Sequence, residues 1–349
     1  MQPQDCFQSV SKQAAGKKRK GTDMSEIITI GETMAAMTPK SNGYLHYIRD
    51  YELRIAGAES NLAIGVCKLG HSAAFVSSLG DDELGYFVNN SIRAEGVDTS
   101  LVRFDAAHPT GVMFKQVLRG KETSVFYYRE NSAASHMTED MLSPTMFAGG
   151  RILHLTGITP VLSQSCRRLT EKAAEAAQEA GLKISFDPNI RRKLWKGQDY
   201  GSVLRRLAEQ SHILLLGLEE AEVLFKTREQ EKIAEAFFRH TQASCLAIKN
   251  GSQGAYVADR SGGHQIPPHP CEPVDPIGAG DAFNAGFLCG LLEGKSVREA
   301  GEMAAIAGAL ATESYGDIEG YPARDSMKRI LAAKYGTEES GKVQGEIYR

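Results

Sequence analysis

Short apolar runs alternate with helical patterns along this chain, and that leaves few architectures open. The runs "EIITIGET", "AAFVSSLG", "RILHLTGI", "KISFDPN", "HILLLGL" and "CLAIKNG" are β-rich and stop at Gly, Asn or a polar residue. Between several of them lie segments such as "SQSCRRLTEKAAEAAQEAGL" and "SVLRRLAEQ", which read as helices. A short apolar run without strict alternation suits a strand buried on both faces, and an intervening helix returns the chain so that such strands pair in parallel. The sequence therefore predicts an α/β fold, with a mostly parallel central sheet between two layers of helices and ligands at the carboxyl ends of the strands. Residues that do chemistry belong just after those ends.

Two segments break the pattern. Residues 43–55, "GYLHYIRDYELRI", and 111–129, "GVMFKQVLRGKETSVFYYR", read as strands, the second with a hairpin turn at "RGKE". They form either a small antiparallel flap over the mouth of the sheet or an ordinary edge hairpin. The first 23 residues are polar, contain "KKRK" and show no sustained period, so they read as a disordered extension ahead of a domain spanning 24–335. Residues 336–349 read as a polar tail.

A chain of 349 residues with 42% hydrophobic content can bury a large core. Its net charge of -3 gives no general pull toward nucleic acid or an anionic membrane, so an anionic ligand must be held by local groups. The 6 cysteines form no CxxC pair, which fits reduced thiols. No run approaches the roughly 18 apolar residues of a membrane span, and the expectation is a cytoplasmic protein.

In "VDPIGAGDAFNAGF" (274–287), Gly278, Ala279 and Gly280 stand with little or no side chain before an apolar helical pattern. Backbone amides at such a helix start stay open to a ligand, and the helix dipole favours negative charge there. A carboxylate at Asp281 is repelled by a bound phosphate, which makes the arrangement poor for mere phosphate storage. It suits deprotonation of a hydroxyl that attacks the phosphate, with the open amides stabilising the charge that develops on the transferred group. Helix capping is the structural alternative for Asp281.

Taken together, "DPIGAGDAFNAGF", "AGAESNLAIGVCKLG" (56–70) and "GDDELG" (80–85) resemble the signatures of the ribokinase-like, or PfkB, carbohydrate kinases, in the right order and over most of the chain. The resemblance implies a ribokinase-like three-layer α/β/α sandwich with a small β lid, ATP as phosphoryl donor, Mg2+ and a sugar acceptor. Within the family, "GAESN" (57–61), "PTGVMFK" (109–115), "FYYRENSAAS" (126–135), "HLTGITPVLS" (154–163) and "SFDPNIRRKLW" (185–195) are similar to the 2-keto-3-deoxygluconate kinases. An acidic sugar carries a carboxylate that a guanidinium can grip through two parallel hydrogen bonds, and Arg129 is the candidate for that grip. A fructokinase, or a non-catalytic sugar sensor on the same fold, are the rival readings.

Carried over residue by residue, the resemblance implies that Gly57, Ala58, Glu59, Ser60 and Asn61 line the sugar pocket, with Asn61 hydrogen-bonding hydroxyls. Tyr127, Tyr128 and Arg129 reach in from the flap, although at alternating strand positions only one tyrosine can face the ligand. Met113 and Asp317 match further sugar-contacting positions. On the nucleotide side, Asn189, Ile190 and Arg191 resemble the segment whose arginine approaches the transferring phosphate. Lys249, Asn250, Gly251, Ser252, Gln253, Gly254 and Ala255 resemble the ATP-binding loop. The family's NxxE motif reads "GLEE" here, so Gly217 replaces the Asn while Glu220 is left to order magnesium-bound water. Asp275 matches a potassium-binding position, and pairing of lids implies a homo-oligomer.

Overall fold

The computed structural model describes residues 25–118, 123–240 and 242–336. The basic N-terminal stretch, the "RGKE" turn and the polar tail after residue 336 lie outside the described residues. In chain order the strands are β1 (Ile27–Ile30), β2 (Met34–Pro39), β3 (Tyr51–Ala56), β4 (Ala73–Gly80), β5 (Val102–Asp105), β6 (Val112–Val117), β7 (Thr123–Tyr128), β8 (Ile152–Thr156), β9 (Lys183–Asp187), β10 (Ile213–Gly217), β11 (Cys245–Lys249), β12 (Ala255–Asp259) and β13 (Gly262–Ile266). Among the described residues no helix is long and apolar enough to cross a membrane.

The large sheet runs β13-β12-β11-β10-β9-β8-β1-β4-β5. Every pair from β5 to β11 is parallel, and β12 and β13 close one side as antiparallel strands. Alternate side chains along each strand feed opposite cores. Ile27, Phe75, Ile213 and Leu215 pack beneath the helices Ala58–Lys68, Ala279–Leu292 and Val297–Ala311. Ile28, Leu153, Leu214 and Leu216 pack beneath Gln164–Glu179, Gly201–Gln210 and Gln230–Phe238. Full burial of each such side chain contributes about 1.5–3 kcal/mol, which explains why the central strands are largely apolar. The three-layer α/β/α expectation holds.

From β1 the chain proceeds to β4 and β5 on one side, whereas β8 to β11 lie on the other. The order therefore reverses between β1 and β8, and the crevice at their carboxyl ends is where a ligand fits in such a sheet.

The second sheet, β3-β2-β6-β7, is the flap rather than an edge hairpin. Two details of the sequence reading are corrected. In segment 43–55 only the end is strand, because Leu45–Tyr47 forms a single tight turn before β3 begins at Tyr51. The flap also has a strand not anticipated, β2, which pairs antiparallel with β3 but parallel with β6, so the flap is mixed.

Candidate active site

Asp281 is not a helix cap. The helix Ala279–Leu292 is capped by Gly278, whose φ of +81° is left-handed and whose added Cβ would meet the Asp317 carbonyl oxygen at 2.0 Å. Only glycine fits there. Ala279 donates to the Pro276 carbonyl at 3.4 Å and Ala282 to the Gly278 carbonyl at 2.9 Å, so the amides open to a ligand are those of Gly278, Gly280 and Asp281, not those of the later helix residues. Asp281 is the third residue of the helix, and its Oδ2 accepts a 2.9 Å hydrogen bond from Asn61 Nδ2. Burial pushes its carboxyl up to about 7; the Asn61 bond opposes the rise, the Asp187 charge adds to it, and Lys249 and Arg191 oppose it. An acid poised near neutrality is suited to take up a proton.

Asp281 faces a cavity of about 200 Å³ whose lining includes Glu32, Met34, Gly57, Ala58, Asn61, Met113, Tyr127, Arg129, Arg191, Gly278 and Asp317. Strand alternation decides between the tyrosines: Tyr127 joins Val125 and Arg129 on the cavity side, opposite Met113, while Tyr128 points outward and is 66% exposed. Tyr128 is therefore withdrawn as a residue of this cavity. Glu59 and Ser60 are withdrawn too. Each residue of an α-helix is turned by about 100° from the last, so five consecutive positions cannot all face one ligand. Glu59 is fully buried beneath the floor, where its Oε1 accepts from Thr156 and Thr159 and burial pushes its carboxyl up. Ser60 is bonded to Thr33 and to the Gly57 carbonyl.

Charges at the cavity are paired. Arg129 donates from Nε to Glu32 Oε2 at 2.7 Å and also meets that oxygen through Nη2, with Ser132 holding Glu32 Oε1 at 2.6 Å. Glu32 thus occupies the side edge of the guanidinium and leaves the Nη1 end for a second carboxylate. Lys115, on β6, pairs with Asp317 at 2.6 Å, and Asp317 also accepts from Asn61 at 3.3 Å. Asn61 lines the cavity, and its Oδ1 is buried without a protein hydrogen-bond partner. Glu32 and Lys115 were not singled out from sequence. The signal for Glu32 was its place just after β1; for Lys115 it was a lone lysine inside the apolar strand "VMFKQV".

The phosphate side gathers at the ends of β9, β10 and β11. Asp187 ends β9 and accepts from Lys249 at 2.8 Å, Asn284 at 2.5 Å and the Asn189 amide at 3.0 Å. Asp187 and Asn284 went unnoticed in the sequence because their partners are distant along the chain. Arg191 is exposed at the cavity rim. Glu220 is no exposed helix glutamate: its oxygens accept from the Ile190 and Gly217 amides, each at 2.7 Å, and burial together with the Asp187 charge raises its carboxyl. The loop Lys249–Ala255 is the β11–β12 hairpin turn, with Asn250, Ser252 and Gln253 at its surface and Gly251 and Gly254 at positive φ. The side chain of Ala255 is buried in the core, so only its backbone is left for a nucleotide.

Among the described residues no three His, Cys, Asp or Glu converge as a metal cage. A magnesium carried by phosphate oxygens and water, with Glu220 beyond that water, fits this donor set. Gly280 offers the matching cradle: its missing side chain leaves space in which the nearest atom, Lys249 Nζ, is 3.8 Å away. Asp275 caps its own turn by accepting from the Ile277 amide at 3.1 Å.

The description "pfkB family carbohydrate kinase" matches residues 24–324. The chain belongs to the pfkB family of carbohydrate kinases. This kinase is 35% identical over 312 residues to the 2-dehydro-3-deoxygluconokinase of Bacillus subtilis (strain 168), covering 88% of this chain and 96% of that one. It is 31% identical over 314 residues to a fructokinase of Klebsiella pneumoniae, covering 88% and 99%. Among solved structures it is similar to a PfkB protein from Polaromonas sp. JS666, with TM-score 0.80, 32% identity and coverage of 87% and 99%. A sugar kinase from Pyrococcus horikoshii in complex with ATP has TM-score 0.76 and 26% identity, covering 86% and 96%.

Proposed function

We propose that this kinase transfers the γ-phosphoryl group of ATP to the terminal primary hydroxyl of 2-keto-3-deoxygluconate, giving 2-keto-3-deoxy-6-phosphogluconate. The observation that carries the reading is one cavity lined by both Asp281 and the Arg129 guanidinium. The sugar carboxylate meets the Nη1 end of Arg129, and Asn61 Oδ1 accepts from a sugar hydroxyl. Asp281 Oδ1 takes the proton of the attacking hydroxyl while Oδ2 stays tied to Asn61. The hydroxyl oxygen bonds to the γ-phosphorus as the bridge to ADP breaks, and the amides of Gly278, Gly280 and Asp281 receive the charge that develops. Magnesium, when bound with ATP, supplies further charge neutralisation beside Arg191. The flap excludes water, which would otherwise accept the phosphoryl group.

The likeness to the Bacillus subtilis enzyme supports the acidic sugar, and the likeness to the Klebsiella pneumoniae enzyme keeps fructose as the competitor. Three finer assignments belong to the same reading. Potassium binds at the Asp275 turn; two subunits pair through the outer flap face, where Phe126 and Tyr128 are exposed; the enzyme works in the cytoplasm. The test is ADP release with 2-keto-3-deoxygluconate, fructose and ribose in turn, with the product's phosphate located by NMR. Turnover of the keto-deoxy acid with phosphate on its terminal carbon is expected. Preference for a neutral sugar overturns the substrate, and no turnover on any sugar brings forward a sensor.

A further inference from the structure

Lys249 ends β11, and its ammonium is held by more than the nucleotide loop requires. Its Nζ donates to Asp187 Oδ2 at 2.8 Å and to Asn284 Oδ1 at 3.1 Å, and Asn284 closes the ring by donating to the same Asp187 oxygen at 2.5 Å. The other Asp187 oxygen is taken by the Asn189 amide. Asp187 thereby accepts three hydrogen bonds and pairs with an ammonium, which favours its ionised form and holds its pKa down. An ammonium has three N–H donors, so one remains. The Lys249 side chain keeps 17% exposure, and its Nζ is 3.8 Å from the space where a Gly280 side chain would lie. That space adjoins the open amides of the turn and the Asp281 carboxyl.

We propose that the Lys249 ammonium is a catalytic group, donating its remaining N–H to an oxygen of the γ-phosphoryl group over Gly280, with Asp187 and Asn284 as positioning residues. The proposal rests on the kinase reading but not on which sugar is used, because Lys249 faces the phosphate end of the site. As the sugar oxygen bonds to the γ-phosphorus and the bond to ADP breaks, the proton goes to Asp281 and Lys249 keeps all of its own. Its protonation is secured: burial works to lower its pKa, yet Asp187, Glu220 and Asp281 hold it above the ordinary lysine value. A buried, hydrogen-bonded donor of this kind differs from Arg191, which is exposed.

The test uses Lys249→Met and the double variant Lys249→Met/Asp187→Asn in the full chain. The single change strands the buried Asp187 charge and can harm folding; the double change removes both charges. The double variant is expected to melt near the parent, to lose about 100-fold in kcat, the typical cost of one lost transition-state donor, and to keep its sugar KM. It is also expected to bind ATP more weakly relative to ADP than the parent does in direct binding. If the double variant recovers parental kcat, the ammonium is only a counter-ion of Asp187 and the proposal falls. If the parent turns over a neutral sugar, the substrate assignment fails and the same kcat comparison is made on that sugar. If the parent turns over none, the kinase reading fails, and an unchanged ATP-to-ADP affinity ratio in the double variant overturns the role of Lys249 as well.

Discussion

Asp281 combines a hydrogen bond that fixes one oxygen with burial that lifts its carboxyl from 3.8 to about 7. Only the ionised form accepts a proton, so kcat/KM is expected to rise with pH and level off above about 7. Asp281→Asn should remove about 10²- to 10⁴-fold of kcat, the usual worth of a general base. Stability runs the other way. Burial favours the neutral acid, so its contribution is complete below the unfolded value of 3.8 and is lost as pH rises through about 7. The melting temperature of the parent relative to Asp281→Asn should therefore fall across that interval and stay flat above it, as calorimetry at stepped pH would reveal. Arg129 has a different signature because Glu32 is buried against it. Arg129→Ala leaves that charge unpaired, at a cost of about 3–5 kcal/mol, measurable by denaturant unfolding. Adding Glu32→Gln should restore most of the stability without restoring the preference for an acidic sugar.

Strand β7 carries the expectation at the scale of an element. Its alternation puts Tyr127 in the cavity and Tyr128 outside, so Tyr127→Ala should raise the sugar KM severalfold while Tyr128→Ala leaves it unchanged in steady-state assays. The same period explains what was legible in the sequence. Strands β4 and β8 to β11 are buried on both faces and announce themselves as short, largely apolar runs. Strand β2 does not, because it begins four residues after β1 ends and its "MAAMTP" carries small residues that suit many states. The turn at Gly278 and the place of Asp281 beside it were readable because a local motif determines both. Glu59 and Ser60 were misplaced because a signature names positions, while helical rotation decides which of them face the ligand. The pairs Glu32–Arg129 and Asp187–Asn284, each 97 residues apart in sequence, had no local signal at all.

Across the molecule, the flap and the main sheet are joined by charge as well as by packing. Arg129 to Glu32, Lys115 to Asp317 and Arg54 to Glu319 each link a flap segment to a loop at the carboxyl side of the large sheet or beside the helix Ala279–Leu292. Two of these links border the cavity that Asp281 faces, so the flap contributes charged side chains to that site. The account divides labour between the ends of that cavity: Arg129 binds and Asp281 reacts. Steady-state kinetics of Arg129→Ala and Asp281→Asn on 2-keto-3-deoxygluconate tests this division most directly. The expected result is a raised KM with kcat nearly kept for Arg129→Ala, and a collapsed kcat with KM nearly kept for Asp281→Asn. Parental kcat in Asp281→Asn, or an unchanged KM in Arg129→Ala, would contradict it.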